Sequence, residues 1–170
     1  SNGGKGKSLL VKCLGSVMNL VEMSGRTITS KAENKNMWSV VNRAHELVLI
    51  DDCSKQFPAE LLLTNTTGDF HIKGKYAKDY AIPAKHAPKI VLTSNFPLKG
   101  EGNTFDRRQF ICEVSNFYLL QAQEFDENPN TLHGHKDFCQ DGVGGWNEND
   151  WSEFYKYVFE CVSKYLAKGG

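Results

Sequence analysis

The sequence has no apolar run near the ~18 residues that a membrane-spanning helix needs, and it does not begin with a charged segment followed by an apolar one. We therefore expect neither a membrane protein nor a secretory precursor. An excess of one charge is also missing, because 20 Lys and Arg residues balance 20 Asp and Glu residues. A neutral total still allows a nucleic-acid partner, since a local basic patch is enough to bind one.

The five cysteines include no C-x-x-C pair, and their odd number argues against a disulfide framework. Both features favour a reducing compartment such as the cytoplasm. His133, His135 and Cys139 could together offer three zinc ligands, but no obvious fourth ligand is present. Several glycines lie in the same stretch, so we interpret it as an ordinary loop.

A chain of 170 residues, with 40% hydrophobic and 24% charged residues, fits one globular domain of ordinary size. Apolar residues at helical spacing predict an amphipathic helix over residues 8–23, and a proline at the first helical position predicts a short helix over 58–63. The last helix is predicted to begin after Asn147 or Asn149 and to run to Ala167, with one apolar stripe along it.

Three continuous apolar runs predict strands that are buried on both faces, as in a parallel sheet: residues 46–52, 89–94 and 109–114. The segment 68–86 has the composition of a hairpin or loop system that carries lysines. Strands that alternate with helices and long connections predict an α/β fold, with helices on the faces of a central sheet.

The N-terminal segment is similar to a phosphate-binding loop of the pattern G-x-x-x-x-G-K-[ST], and its residues are Gly3, Gly4, Lys5, Gly6, Lys7 and Ser8. Glycines let backbone N–H groups close around phosphate oxygens, while Lys7 would reach the outer phosphates and Ser8 would bind magnesium. Two features depart from the pattern, since Ser1 replaces the first glycine and no strand precedes the loop. A chance cluster of glycine and lysine at a flexible terminus is the alternative.

Two apolar runs end in polar side chains that suit the same chemistry. Asp51 would hold magnesium, directly or through water, and Asp52 would orient or deprotonate the attacking water. Asn95 could hydrogen-bond the γ-phosphate or that water. In each case the alternative is a simple turn after a strand. The nearly even spacing of Ser8, Asp51 and Asn95 favours the functional interpretation.

The order of GKS, LVLIDD and IVLTSN, followed by an arginine pair, resembles the superfamily 3 helicases of viruses, phages and plasmids. The likeness is strongest to the C-terminal domain of poxvirus-type and phage-type primase–helicases. Residues 67–70, with the sequence TGDF, are similar to the additional motif that marks this superfamily. Residues 145–151, with the sequence GWNENDW, look like the end of phage members, so the resemblance covers nearly the whole chain.

The resemblance implies a P-loop NTPase fold of the AAA+ type, with a central, mainly parallel sheet flanked by helices. It implies one ATPase domain over residues 1–170 that starts at the phosphate-binding loop and lacks the preceding strand. The implied cofactors are ATP and Mg²⁺. The implied partners are single-stranded DNA, or RNA, and further copies of the chain in a ring expected to be hexameric, and an upstream primase domain is compatible with the family. The implied function is a helicase motor of viral, phage or mobile-element replication in the cytoplasm of a host cell.

The arginine pair falls on a further functional position of the family. Arg107 or Arg108, with Arg108 preferred, corresponds to the arginine finger that completes the neighbouring subunit's ATP site. The alternative is an ion pair between one of these arginines and Asp106.

Residues 71–89 hold five lysines against one acid, with tyrosines and histidines interleaved. Lysines can follow phosphates while aromatic rings stack on bases, a combination that suits single strands. The family has a hairpin at this point that grips DNA in the pore, which implies Lys73 and Lys75 as contacts with Tyr76 behind them. A solvated basic loop is the alternative.

Two other function classes remain open from the sequence. One is a P-loop ATPase or small-molecule kinase without helicase activity, although a kinase should carry a lid with several arginines and no such segment is evident. The other is an inactive nucleotide-binding fragment. DNA-stimulated ATP hydrolysis would separate a motor from a kinase, and nucleotide binding would separate a kinase from an inactive fragment.

Overall fold

The structure is a computed structural model, and it describes residues 5–28, 36–74, 78–98, 103–125 and 145–169. The chain forms two compact units, Ser1–Val114 and Ser115–Gly170. The candidate site residues at 5–8, 51–52 and 95 all belong to the first unit.

Five strands of the first unit are described: β1 (Leu20–Ser24), β2 (Leu47–Cys53), β3 (Phe70–Ile72), β4 (Tyr80–Ile82) and β5 (Lys89–Ser94). Strands β1, β2 and β5 form a parallel sheet with β2 in the centre, while β3 and β4 form an antiparallel hairpin. Helix α1 (Lys7–Cys13) contacts β2 and β5, and the short helix α2 (Asn103–Asp106) follows the last strand. This confirms the predicted α/β class with a parallel sheet, an arrangement compatible with a Rossmann-like fold.

The central strand owes its position to its composition. Residues 47–50 are Leu-Val-Leu-Ile, and all four are buried. A strand that pairs on both edges and is covered on both faces needs such a continuous apolar run rather than alternating polarity. Because the three strands are parallel, their carboxyl ends lie at one edge of the sheet, so Ser24, Asp51 and Ser94 are neighbours at that edge.

The predicted hairpin in the segment 68–86 is confirmed by β3 and β4. Phe70 and Ile82 are paired across the two strands and are both buried in the core. The Trp38 ring meets the Phe70 ring edge-on, with centroids 4.9 Å apart, which is a favourable aromatic geometry. The alternate residues His71 and Lys73 are exposed, so the hairpin keeps these basic side chains outside the core.

The helix predicted over residues 8–23 is wrong in its second half. Helix α1 ends at Cys13, a 3-10 turn covers Leu14–Ser16, and Leu20–Ser24 is strand β1. Short apolar runs fit a helix or a strand equally well by periodicity, so their pairing decides between the two. Here each residue of β1 has a partner in the parallel ladder with β2.

The strand predicted at 109–114 is also wrong, because the structure has no regular element there. Phe110 and Ile111 are 92% and 76% exposed, and no described strand pairs with this segment. An apolar run becomes a strand only where a neighbouring backbone accepts its hydrogen bonds. The helix predicted over 58–63 is a single 3-10 turn at Ala59–Leu62.

The second unit contains α3 (Phe117–Phe125) and α4 (Glu148–Ala167). The predicted last helix is confirmed, and its cap is Asn147 rather than Asn149. The Asn147 side chain accepts from two backbone N–H groups, and the Asp150 side chain accepts from the Asn147 N–H at 2.9 Å, which completes a capping box. The predicted apolar stripe is present, and its described residues are half-buried or exposed, since none of α4 is buried.

Two sequence expectations concern membranes and cysteines. No helix among the described residues is long and apolar enough to cross a membrane. Cys53, Cys112 and Cys161 are free thiols, whereas Cys13 is disulfide-bonded, which the odd cysteine count did not predict. Burial raises the pKa of the Cys53 thiol to about 12, so this thiol stays protonated at neutral pH.

Gly25 lets the 3-10 turn Gly25–Thr27 approach β2 closely. A Cβ at this position would lie 2.6 Å from Cys53 Sγ and 2.8 Å from Cys53 Cα, closer than packed atoms allow. We expect Gly25→Ala to lower the free energy of unfolding by about 1–3 kcal/mol, measured by urea denaturation. Gly15→Ala is the matched control, because its nearest neighbour would be Leu20 Cβ at 3.7 Å. Equal stability of the two variants would contradict the close approach.

Candidate functional site

The candidate phosphate-binding loop enters α1 at Gly6. This residue has a φ of +78°, in the left-handed region that glycine adopts without strain. The Gly6 carbonyl accepts from the Leu10 N–H at 2.9 Å and so starts the helix. Lys7 and Ser8 are therefore the first two helical residues, on a helix that contacts β2 and β5.

Ser8 meets two polar side chains from those strands, and we call Ser8, Asp51 and Thr93 the carboxylate cluster. Ser8 Oγ donates to Asp51 Oδ1, and Thr93 Oγ1 donates to the same oxygen at 2.6 Å. Thr93 is buried, and its Oγ1 also accepts from the Asp52 N–H at 2.9 Å. Segments more than 40 residues apart in the sequence thus meet around one carboxylate, with Ser8 and Asp51 separated by 43 positions and Asp51 and Thr93 by 42.

The charge state of Asp51 follows from these contacts. Partial burial by itself would raise the pKa of the carboxyl group, because burial disfavours the charged form. The hydrogen bonds from Ser8 and Thr93 act in the opposite direction, and so does the positive charge of Lys12. Together they outweigh burial and hold the Asp51 pKa below its usual value. Asp51 is therefore an ionised carboxylate at neutral pH, as a magnesium ligand must be.

Lys7 and Asn95 form the second contact of the site. Lys7 Nζ donates to Asn95 Oδ1 at 2.7 Å, across 88 positions of sequence. The sequence predicted that both side chains serve the same phosphate group, and the structure brings them together. Their contact is exposed, so an anion entering from solvent could reach the Lys7 ammonium group.

Asp52 turns away from the carboxylate cluster. Its backbone has a φ of +55°, and the register between β2 and β5 breaks between Ile50 and Cys53. The Asp52 carboxylate instead forms an ion pair with Arg26, whose Nε donates to Asp52 Oδ2 at 2.6 Å. Asp51, Asp52 and Arg26 line one open cleft of about 490 Å³, at the carboxyl ends of β1 and β2.

Sequence reasoning missed Thr93 and Arg26 as parts of the site. Thr93 lies inside the apolar run of β5, where a threonine is an ordinary strand residue. Its position near the carboxyl end of β5 was the available signal, because ligands of parallel sheets bind outside the carboxyl ends of the strands. Arg26 had no such signal, since it is distant in sequence from every predicted motif.

The other predicted ATP-site residues are only partly described. Lys5 is partly exposed, while Gly3 and Gly4 lie outside the described residues. Arg107 Nε donates to the Asn103 carbonyl at 3.2 Å, and Arg108 donates from a terminal guanidinium nitrogen to the Leu63 carbonyl at 3.3 Å.

Neither arginine forms an ion pair with Asp106 among the described residues, so this alternative does not explain the pair. Of the predicted nucleic-acid contacts, Lys73 is exposed and described, whereas Lys75 and Tyr76 lie outside the described residues. The candidate zinc ligands at 133, 135 and 139 lie outside them as well.

The carboxylate cluster has the ligands of a magnesium site with few protein oxygens rather than those of a metal site closed by protein side chains. Within the described ranges, no group of three or more His, Cys, Asp or Glu side chains could hold a metal. Magnesium is commonly held by one or two protein oxygens together with water and phosphate oxygens. Ser8 and the ionised Asp51 offer this number and kind of oxygen ligands.

In comparisons with known proteins, no protein-family model and no curated protein matches the chain. The features that bear on function are therefore the carboxylate cluster, the Lys7–Asn95 contact and the cleft that Asp51 and Asp52 line.

Proposed function

We propose that this chain is an ATP-dependent nucleic-acid motor of the superfamily 3 helicase type, built on a P-loop NTPase fold of the AAA+ class. The observation that supports the nucleotide site most strongly is the hydrogen bond from Ser8 to Asp51. A glycine-rich loop ending in Lys-Ser is common by chance, and so is an acid after a strand. A direct contact between such a loop and such an acid, with Lys7 and Asn95 paired beside them, is much less common by chance.

The proposed roles follow from the chemistry of each side chain. Lys7 would bind the outer phosphates, and Ser8 with Asp51 would hold the magnesium ion. When bound, magnesium neutralises charge on the phosphate oxygens. Asp52 would accept a hydrogen bond from the attacking water, and Asn95 would orient this water or the γ-phosphate. Paired acids with an amide suit transfer of the phosphoryl group to water, which favours an ATPase over a small-molecule kinase.

The nucleic-acid part of the proposal depends on the β3–β4 hairpin. The exposed Lys73 directly follows β3, and the segment 71–89, which begins inside β3 and extends past β4, holds five lysines against one acid. That acid is Asp79. Its carboxylate accepts a hydrogen bond from the Gly74 N–H at 3.1 Å, a contact inside the connection between β3 and β4. A basic hairpin of this kind can follow the phosphates of a single strand.

The experiment that tests this function is a magnesium-dependent ATP hydrolysis assay, with and without single-stranded DNA or RNA. A motor should hydrolyse ATP slowly alone and faster when a single strand is added. Phosphate release that a single strand does not change would favour a plain P-loop ATPase. Transfer of labelled phosphate to a small acceptor would favour a kinase. Nucleotide binding without either reaction would leave an inactive nucleotide-binding protein.

The lysine-rich hairpin gives a separate prediction. We expect Lys73→Ala combined with Lys75→Ala to weaken single-strand binding while basal ATP hydrolysis stays within about twofold. The slope of log affinity against log salt should fall by about 0.7 for each phosphate group that a lysine no longer neutralises. Unwinding should fail as well, because a motor must grip the strand that it moves.

The matched control removes two lysines from α4, Lys156→Ala with Lys164→Ala, since both are exposed and belong to surface ion pairs. Single-strand affinity that depends on salt equally in both double variants would contradict the hairpin assignment. The lysines of the hairpin would then form a solvated basic surface.

A further inference from the structure

Arg26 and Asp52 form an ion pair that no sequence motif predicted. The guanidinium Nε donates a hydrogen bond to Asp52 Oδ2 at 2.6 Å, and one terminal nitrogen of the same group is in ion-pair contact with that oxygen. The two residues come from separate segments of the first unit, since Arg26 lies in the 3-10 turn that follows β1 and Asp52 lies near the end of β2. The pair therefore joins two chain segments that only the fold brings together.

The backbone on both sides of the pair is unusual. Asp52 is the non-glycine residue with positive φ among those described, and such a conformation costs free energy that the surroundings must offset. Gly25, the residue before Arg26, lies so close to Cys53 that no side chain fits between them. The close approach brings Arg26 next to the turned carboxylate of Asp52.

The carboxylates of the neighbouring residues Asp51 and Asp52 therefore point in different directions. Asp51 faces Ser8 and Thr93, while Asp52 faces Arg26. If both carboxylates faced the same point, their charges would repel each other and both could bind one metal ion. The arginine compensates the charge of Asp52 and holds it away from the carboxylate cluster.

One oxygen of Asp52 is left open by this arrangement. Oδ2 accepts the hydrogen bond from Arg26 and forms the ion pair with it, and Oδ1 accepts no hydrogen bond from the residues that the structure describes. Asp52 lines the cleft of about 490 Å³ together with Asp51 and Arg26. Oδ1 is thus available to accept a hydrogen bond from water in this cleft, which Asp51 also lines.

We propose that Arg26 is a positioning residue for Asp52. It holds the carboxylate through Oδ2, so that Oδ1 faces the attacking water and Asp52 does not become a second metal ligand. This inference rests on the proposed ATP hydrolysis and names a residue of that reaction which the motifs do not contain. Arg26 acts through Asp52 and makes no contact with the nucleotide.

The test separates turnover from nucleotide binding. In Arg26→Ala we expect kcat to fall about tenfold or more, while the Kd for a fluorescent ATP analogue stays within about twofold. Arg26→Lys should recover part of kcat, because it keeps the charge but not the two-pronged geometry. Arg43→Ala is the control, since this exposed arginine lies over the Tyr80 ring and does not line the cleft. Its kcat should be unchanged.

A double-mutant cycle decides whether Arg26 acts through Asp52. In an Asp52→Asn background, adding Arg26→Ala should change kcat by less than about twofold. Additive losses would overturn the inference, and so would a large rise in Kd, which would mean that Arg26 contacts the nucleotide itself. Thermal melting of each variant serves as the control for retention of the fold.

Failure of the inference and failure of the proposed function give different results. If the unsubstituted chain hydrolyses ATP and Arg26→Ala does so at the same rate, only the role of Arg26 is overturned. If the unsubstituted chain binds no nucleotide and releases no phosphate, the proposed function is overturned and the role of Arg26 with it.

Discussion

Replacing Lys7 with alanine should abolish magnesium-dependent ATP hydrolysis. The ammonium group of Lys7 lies 2.7 Å from Asn95 Oδ1 and is the positive charge that the proposed site offers to the outer phosphates. Without it, the site loses the side-chain cation that would contact the outer phosphates directly. We expect Lys7→Ala to lose measurable nucleotide affinity as well as turnover, in a titration with a fluorescent ATP analogue.

A contrasting variant separates binding from chemistry. Asp52→Asn should keep nucleotide affinity within a few-fold but lower turnover by at least about a hundredfold, because the acid acts on water. Lys156→Ala is the control for removal of a lysine, since Lys156 pairs with Glu153 on the surface of α4. An equal loss of nucleotide affinity in Lys7→Ala and Asp52→Asn would contradict the separate roles.

Removing both Arg107 and Arg108 should lower ATP hydrolysis per subunit about a thousandfold, the low end of what arginine fingers contribute. The two side chains are exposed, and they donate hydrogen bonds to the carbonyls of Asn103 and Leu63. Neither bond would prevent a guanidinium group from reaching into a neighbouring copy. Single substitutions would then show which arginine carries the effect, and we expect Arg108.

A ring makes a further prediction that a monomer does not. Activity per subunit should rise with protein concentration, because each ATP site needs an arginine from a neighbour. Mixing the double arginine variant with Asp52→Asn should restore part of the activity, since some interfaces then combine intact arginines with an intact Asp52. Arg43→Ala is the control, because this exposed arginine lies over the Tyr80 ring, 5.7 Å from its centroid. Activity independent of concentration, with no recovery on mixing, would exclude a finger that acts between subunits.

The sequence correctly predicted those elements of the fold that depend on local interactions or on the burial of a long apolar run. The continuous apolar run Leu-Val-Leu-Ile at 47–50 favours a strand buried on both faces, and it forms the central strand β2. The run at 89–94 is β5, and Asn147 begins α4 through its own side chain. In each case the decisive interaction is either local or is the burial of a long apolar run.

The failures occur where a partner elsewhere in the chain decides the structure. Residues 20–24 continue a helical pattern, yet they form β1 because β2 offers them a ladder. Residues 109–114 have the composition of a strand, but no described strand pairs with them. Periodicity describes which residues share a face and cannot tell whether a pairing edge is present.

The order and spacing of Lys7, Ser8, Asp51 and Asn95 predict one site at the ends of parallel strands. The contacts that connect these side chains appear only in the folded chain. Folding brought Thr93 to Asp51, turned Asp52 away from its neighbour and paired it with Arg26. The direction of a side chain depends on backbone angles and on charged groups of distant segments. A local sequence motif specifies neither of them.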